Sequence, residues 1–149
     1  MTEQVKIRVA KQRDVTSLVN FNQLMASETE NKMLDQATLE KGVGNLINDT
    51  NKGFYLVAEI NHQVIGSLMV TTEWSDWRNA TFWWIQSVYI VPEYRRKGIY
   101  AKLYTHVKAL AEQQNVCGFR LYVEKDNEIA QKTYLSLGML ESHYLMFEE

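Results

Sequence analysis

Three basic residues and a glycine, Arg95-Arg96-Lys97-Gly98, lie where an apolar run meets an amphipathic one. Upstream, Val88-Tyr89-Ile90-Val91 reads as a strand that Pro92 must end, because proline has no amide hydrogen to give a sheet. Downstream, Ile99, Leu103, Val107 and Leu110 recur at helical spacing and predict an amphipathic helix. A helix start leaves about four N–H groups unpaired and carries roughly half a positive charge. Set beside cations and a glycine that lets an anion approach the main chain, those donors have the chemistry of a phosphate cradle. Taken alone, the same residues also read as an ordinary solvated turn. A second pair, Asn127 and Tyr134, falls on nearly one face of a predicted helix, two turns apart. By themselves they read as a helix cap and a packed tyrosine.

The cradle is neither of two common phosphate loops. No G-x-x-x-x-G-K-S/T and no G-x-G-x-x-G occurs in the chain. A net charge of −2 gives no electrostatic case for nucleic acid, so the local cluster at 95–97 points to a small anionic ligand. The 149 residues suffice for a buried core and are expected to form a single domain over 1–149. With 46% hydrophobic and 23% charged residues, the composition is that of a soluble globular protein. The single cysteine, Cys117, cannot form an internal disulfide, and a reducing, cytoplasmic setting is expected. No apolar signal region and no run of about 18 apolar residues is seen, so neither secretion nor membrane insertion is expected. His62, His106 and His143 share no metal-ligand spacing with one another or with Cys117, and no metal site is expected.

These groups need elements to position them. Lys6 to Ala10 reads as a first strand, and Asp14 as the cap of a helix lined by Val15, Leu18, Phe21 and Met25. A second helix is expected after Asp35, with Leu39, Val43, Leu46 and Ile47 on its apolar side. Phe54 to Ile60 and Val64 to Trp74 form a hairpin around Asn61-His62-Gln63. After a polar loop, Ala80 to Val91 is a long aromatic strand running into the basic turn. Gly118 to Glu124 reads as a fifth strand and Asn127 to Leu137 as a fourth helix, which Gly138 suits as a terminator. Met139 to Glu149 alternates enough to supply a final strand or pair of strands.

The order strand, proline, Arg-x-x-Gly-x, helix resembles the acetyl-CoA-binding motif of the GNAT superfamily of N-acetyltransferases. The pattern Gln/Arg-x-x-Gly-x-Gly/Ala maps onto Arg95, Gly98 and Tyr100, with tyrosine where a small residue is usual. The run N-x-x-A-x-x-x-Y-x-x-x-G, from Asn127 through Tyr134 to Gly138, is similar to a second GNAT motif. The resemblance covers nearly the whole chain and is strongest from Ser87 to Gly138. It implies an α/β (α+β) fold, a mixed, mostly antiparallel sheet of about six to seven strands with about four helices on both faces. It also implies a gap between the strand before the basic turn and the strand after the central helix. There the acetyl-CoA arm would pair with Val88, Tyr89 and Ile90 by strand addition. The diphosphate would sit on Arg95, Arg96, Lys97, Gly98, Ile99, Tyr100 and Ala101. Asn127 would meet the arm, and the Tyr134 hydroxyl would sit beside the sulfur.

Transfer of an acetyl group to a primary amine by direct attack needs a neutral amine. For a lysine-like amine of pKa about 10.4, neutrality at pH 7 costs roughly 4–5 kcal/mol. The departing thiolate leaves more easily when a donor meets it, the role expected of Tyr134. Glu28, Glu30, Glu73, Asp76 and, through a water, Gln86 are candidate bases, with Glu73 and Asp76 ranked ahead. Of Trp74, Trp77, Trp83 and Trp84, half are expected to face the core. Trp74 and Trp84 are candidates to wall an acceptor pocket with Glu28, Glu30 and Gln86, where aromatic faces favour a cationic amine. The rival readings are a non-catalytic acetyl-CoA-binding or sensing domain and, on the tryptophans alone, an interaction module. Homodimers are common among relatives of this kind, so a homodimer is within expectation.

Overall fold

The computed structural model describes residues 4–149. Its elements are β1 (Lys6–Val9), α1 (Val15–Glu30), α2 (Gln36–Ile47), β2 (Phe54–Ile60), β3 (Gln63–Ser75), β4 (Ala80–Ile90), α3 (Ile99–Ala111), β5 (Val116–Arg120) and α4 (Glu128–Ser136). The strands form one sheet in sequence order. The first four run antiparallel and β5 runs parallel to β4, because α3 carries the chain back across the sheet.

Period-two alternation splits the strands between two apolar layers. Leu56, Ala58, Leu68, Val70, Trp83 and Ile85 pack with Ile99, Leu103 and Val107 of α3 on one face. Tyr55 and Val57 pack with Leu18 and Val19 of α1 and Val43 and Leu46 of α2 on the other. The β2–β3 turn at Asn61-His62 has both residues at positive φ (50° and 65°), the two-residue hairpin geometry that matches strand twist.

The sheet has five strands, not the six to seven expected. Residues 139–149 alternate as a strand would but pair with no ladder, and Leu140 and Phe147 stay 87% and 88% exposed. A ladder needs pairing as well as a pattern, and none of the described strands pairs with this segment, although the outer edge of β5 stays unpaired. β5 also ends at Arg120 rather than Glu124. The cause lies in β4, where Ser67 pairs with Tyr89 and Met69 with Gln86, so β4 holds one residue more than β3 between the pairs. Ser87 takes φ +51° in this bulge, and such an insertion bends the strand. Pairing with β5 consequently stops at Trp84–Arg120, and the two strands part beyond it.

Asp14 precedes α1 but does not cap it with its side chain. Its carboxylate accepts from the Lys11 amide and from both terminal nitrogens of Arg8, which also pairs with Glu59. Asp35 does cap α2, accepting from the Thr38 amide at 3.0 Å.

Candidate active site

After β4, Pro92 opens a 3-10 turn to Tyr94, and the chain passes through Arg96 (φ +63°) and Gly98 (φ +79°) into α3. A Cβ at Gly98 would meet nothing within 4 Å, so glycine answers there to the left-handed backbone rather than to crowding. The α3 ladder begins with the Lys102 amide donating to the Gly98 carbonyl at 3.1 Å. The amides from Arg96 through Ala101 have no partner among the described residues. Left-handed residues at 96 and 98 turn successive N–H groups into a concave nest, and the dipole of α3 adds positive charge. Arg96 and Lys97 stand exposed beside it.

Arg95 points elsewhere. Its Nη2 lies 2.8 Å from Oε2 of Glu28, its Nε donates to the Ile90 carbonyl at 2.8 Å, and its guanidinium stands 5.2 Å from the Tyr89 ring centre. The Tyr89 hydroxyl donates to the other Glu28 oxygen at 3.3 Å, and its ring packs on Phe21. Burial, then the Glu28 charge, pushes the Tyr89 phenol above its ordinary range. Glu28 thus ties the end of α1 to the basic turn.

Asn127 accepts from the Ala130 amide at 3.2 Å and caps α4. One face along, the Tyr134 ring lies edge-on to Tyr100 at 5.5 Å. Burial pushes the Tyr134 phenol up. Tyr100 neither covers the nest nor runs along the surface. Its ring turns into the α3 core and stacks on Tyr104 at 6.1 Å.

On the opposite face of the sheet, Trp84 donates to Oε1 of Glu73 at 2.8 Å, and Arg120 reaches the same oxygen at 3.1 Å. The Arg120 guanidinium lies 3.6 Å from the Phe82 ring centre, and Tyr122 borders Trp84 at 6.2 Å. Gln86 donates to the Thr71 hydroxyl at 2.6 Å on this face. Glu73, Trp84 and Gln86 are therefore brought together. Trp74 is not with them, since it pairs with Thr81 and so points to the other side. Asp76 lies in the β3–β4 loop, holding the Trp77 amide, and Glu30 pairs with Lys32 in solvent. Of the four tryptophans, Trp83 is buried, Trp84 is half-buried, and Trp74 and Trp77 are exposed. Arg120 escaped the sequence reading. Its one signal was a cation at an alternate position of an otherwise apolar strand.

A surface cavity of about 590 Å³ is lined by Arg8, Asp14 and Glu59, which pair with one another, and by none of the candidate site residues. The candidate site residues lie elsewhere, on the two faces of the sheet. The nest and Tyr134 adjoin the α3 face, and Glu73 and Trp84 lie on the α1 face.

The Acetyltransferase (GNAT) family model matches residues 19–139. A possible acetyltransferase from Clostridium difficile 630 superposes with a TM-score of 0.91 at 46% identity, over 97% of this chain and 96% of that one. A predicted acetyltransferase from Clostridium acetobutylicum, solved with acetyl-CoA, gives 0.80 at 20% identity over 97% and 96% of the two chains. Aminoglycoside N-acetyltransferase AAC(6')-Iy, solved with CoA, gives 0.83 at 12% over 100% and 96%. At such identities the last two speak for the fold alone. The parted strands, the family match over most of the length and the relative of nearly half-identical sequence agree: this chain belongs to the GNAT family of acetyltransferases.

Proposed function

We propose that this protein transfers an acetyl group from acetyl-CoA to a primary amine by direct attack of the amine. The observation that carries the reading is the run of unpaired amides from Arg96 to Ala101, nested beside exposed Arg96 and Lys97 and followed by Tyr134 on the neighbouring helix. In this reading the amides of Arg96 through Ala101, with Arg96 and Lys97, hold the diphosphate. Arg95 positions the turn, and Val88, Tyr89 and Ile90 offer main chain to the arm where β5 has parted from β4. The side-chain nitrogen of Asn127 is left to donate, since its oxygen serves the helix cap.

The amine lone pair forms the new C–N bond as the C–S bond breaks, and the Tyr134 hydroxyl meets the developing thiolate. One proton of the attacking amine passes to solvent. Glu73 already accepts two donors on Oε1, which leaves Oε2 to anchor a cationic amine against Trp84 and Gln86. Asp76, in its loop, would act only at the rim. A small cationic amine is thus the acceptor class. AAC(6')-Iy is an aminoglycoside acetyltransferase, which agrees with that class.

Thiol release across a panel of small amines, paired with calorimetry for acetyl-CoA, tests the reading. Binding with turnover supports it. Binding without turnover on any amine supports the sensing domain instead, and that rival gains from Glu73 being already paired.

A homodimer and a cytoplasmic setting belong to the same reading. Leu140, Leu145 and Phe147 are more than 80% exposed, an apolar segment that a second copy would cover. Sedimentation equilibrium of the chain against its Leu145→Glu/Phe147→Glu variant checks this, a monomeric wild type being the adverse result. Cys117 has no second cysteine in the chain, as a reducing compartment permits.

A further inference from the structure

No residue beyond Ala111 is fully buried, although this part of the chain supplies a strand, a helix and many apolar side chains. Every residue of β5 is half-buried, and α4 has none buried, with Ile129 82% exposed. Further on, Tyr144-Leu145-Met146-Phe147 would put apolar side chains on both faces of a strand. Such a run belongs inside a sheet that is covered on both sides, not in water. The sheet has a place for it. β5 pairs with β4 alone, and the main-chain groups on its outer side have no partner among the described residues. An open edge of this kind is a template for a further strand.

From this we infer that residues 140–147 of one copy pair with the outer edge of β5 in a second copy, each chain lending its end to the other. This exchange rests on the proposed homodimer and specifies how its two copies hold together. Reach within one chain is not what is missing. The Tyr144 ring centre already lies 5.9 Å from the Arg120 guanidinium, yet no main-chain hydrogen bond joins the segment to β5. One chain thus carries an open edge and an unpaired strand that do not meet. Two chains about a two-fold axis satisfy both at once, and the arrangement closes on itself. Strand addition draws on backbone groups, so it asks little of the side chains along the edge. The exchange also bears on the acceptor. Arg120 ends β5 and holds Glu73, so the partner's segment would border the proposed amine site.

Cys117, the one cysteine of the chain, stands on β5 and serves as the reporter. Tyr144→Cys, Met146→Cys and Phe147→Cys, each made singly in the full chain, are treated with a short bismaleimide, whose span tolerates either register. Denaturing electrophoresis and intact mass then read the product. At one or more positions the chain is expected to run at the mass of two chains. The wild type, and the same variant carrying Cys117→Ser, should stay at the mass of one. A bridge within single chains overturns the exchange, since the segment would then lie on its own β5. No bridge at any position, with sedimentation still showing a dimer, overturns the exchange and leaves the homodimer. No bridge with a monomeric chain overturns both. The readout uses neither coenzyme nor amine, so failure of the acetyl-transfer reading would show separately, in the thiol-release assay.

Discussion

Arg95 and Glu28, 67 residues apart, meet at 2.8 Å and join the end of α1 to the turn that precedes α3. Arg95 also holds the Ile90 carbonyl, so one side chain fixes both the exit of β4 and the entrance to the nest. In the proposed reading the motif arginine positions the turn, and Arg96 and Lys97 are the cations offered to the diphosphate. Glu28→Gln should change stability by less than about 1 kcal/mol, because the pair is about 40% exposed. It should raise KM for acetyl-CoA several-fold at nearly constant kcat. Steady-state kinetics with varied acetyl-CoA checks the split.

Gly98→Ala would force an L-residue into φ +79° with open space around the new methyl. The expected cost is the left-handed backbone alone, about 1–2 kcal/mol, seen as a melting point lower by a few degrees. Because the nest depends on that angle, calorimetry should show acetyl-CoA affinity falling by more than tenfold.

Tyr134→Phe should lower kcat by about 100-fold or more while leaving acetyl-CoA affinity within a few-fold of wild type. Burial raises the Tyr134 phenol above its usual value of about 10. The rate should therefore climb with pH as the amine loses its proton, with no descending limb below about pH 10. A fall in rate between about pH 8 and 9 would argue against the assignment.

Glu73→Gln keeps the shape of the carboxylate but removes its charge from Arg120 and Trp84. KM for a cationic amine should rise about tenfold, and KM for acetyl-CoA should hold. Initial rates with each substrate varied in turn separate the two.

Arg8 joins Asp14 and Glu59, with all three side chains no more than 12% exposed. Burial alone would raise the Asp14 carboxyl, but hydrogen bonds from Arg8 and the Lys11 amide outweigh it and hold it below its ordinary value. Arg8 likewise holds Glu59 down. Both folded pKa values are depressed, so their stabilisation is complete above the unfolded values near about 4 and is lost as pH falls through the folded ones. Wild type should lose stability steeply only below about pH 4. Arg8→Gln breaks the buried pair with Asp14 and should cost about 3 kcal/mol at neutral pH, with a shallower acid dependence. Urea unfolding at a series of pH values reads both.

The sequence by itself determined what depends on neighbours along the chain. Pro92 ends a strand and Gly98 admits a left-handed turn wherever they stand, and the spacing of Ile99, Leu103 and Val107 dictates a helix. The element order and the nest of amides followed from these local rules. Tertiary structure decided what depends on partners far along the chain. Whether Trp83 or Trp84 shares the Glu73 face is set by the register across the β3–β4 loop, and one residue of slip would exchange them. The bulge at Ser87, which parts β4 from β5, exists only because β3 is its partner. That Arg95 meets Glu28 is invisible in the sequence, and residues 139–149 alternate as a strand would yet pair with none of the described strands. Alternation and charge are properties of a segment, whereas pairing belongs to two segments at once.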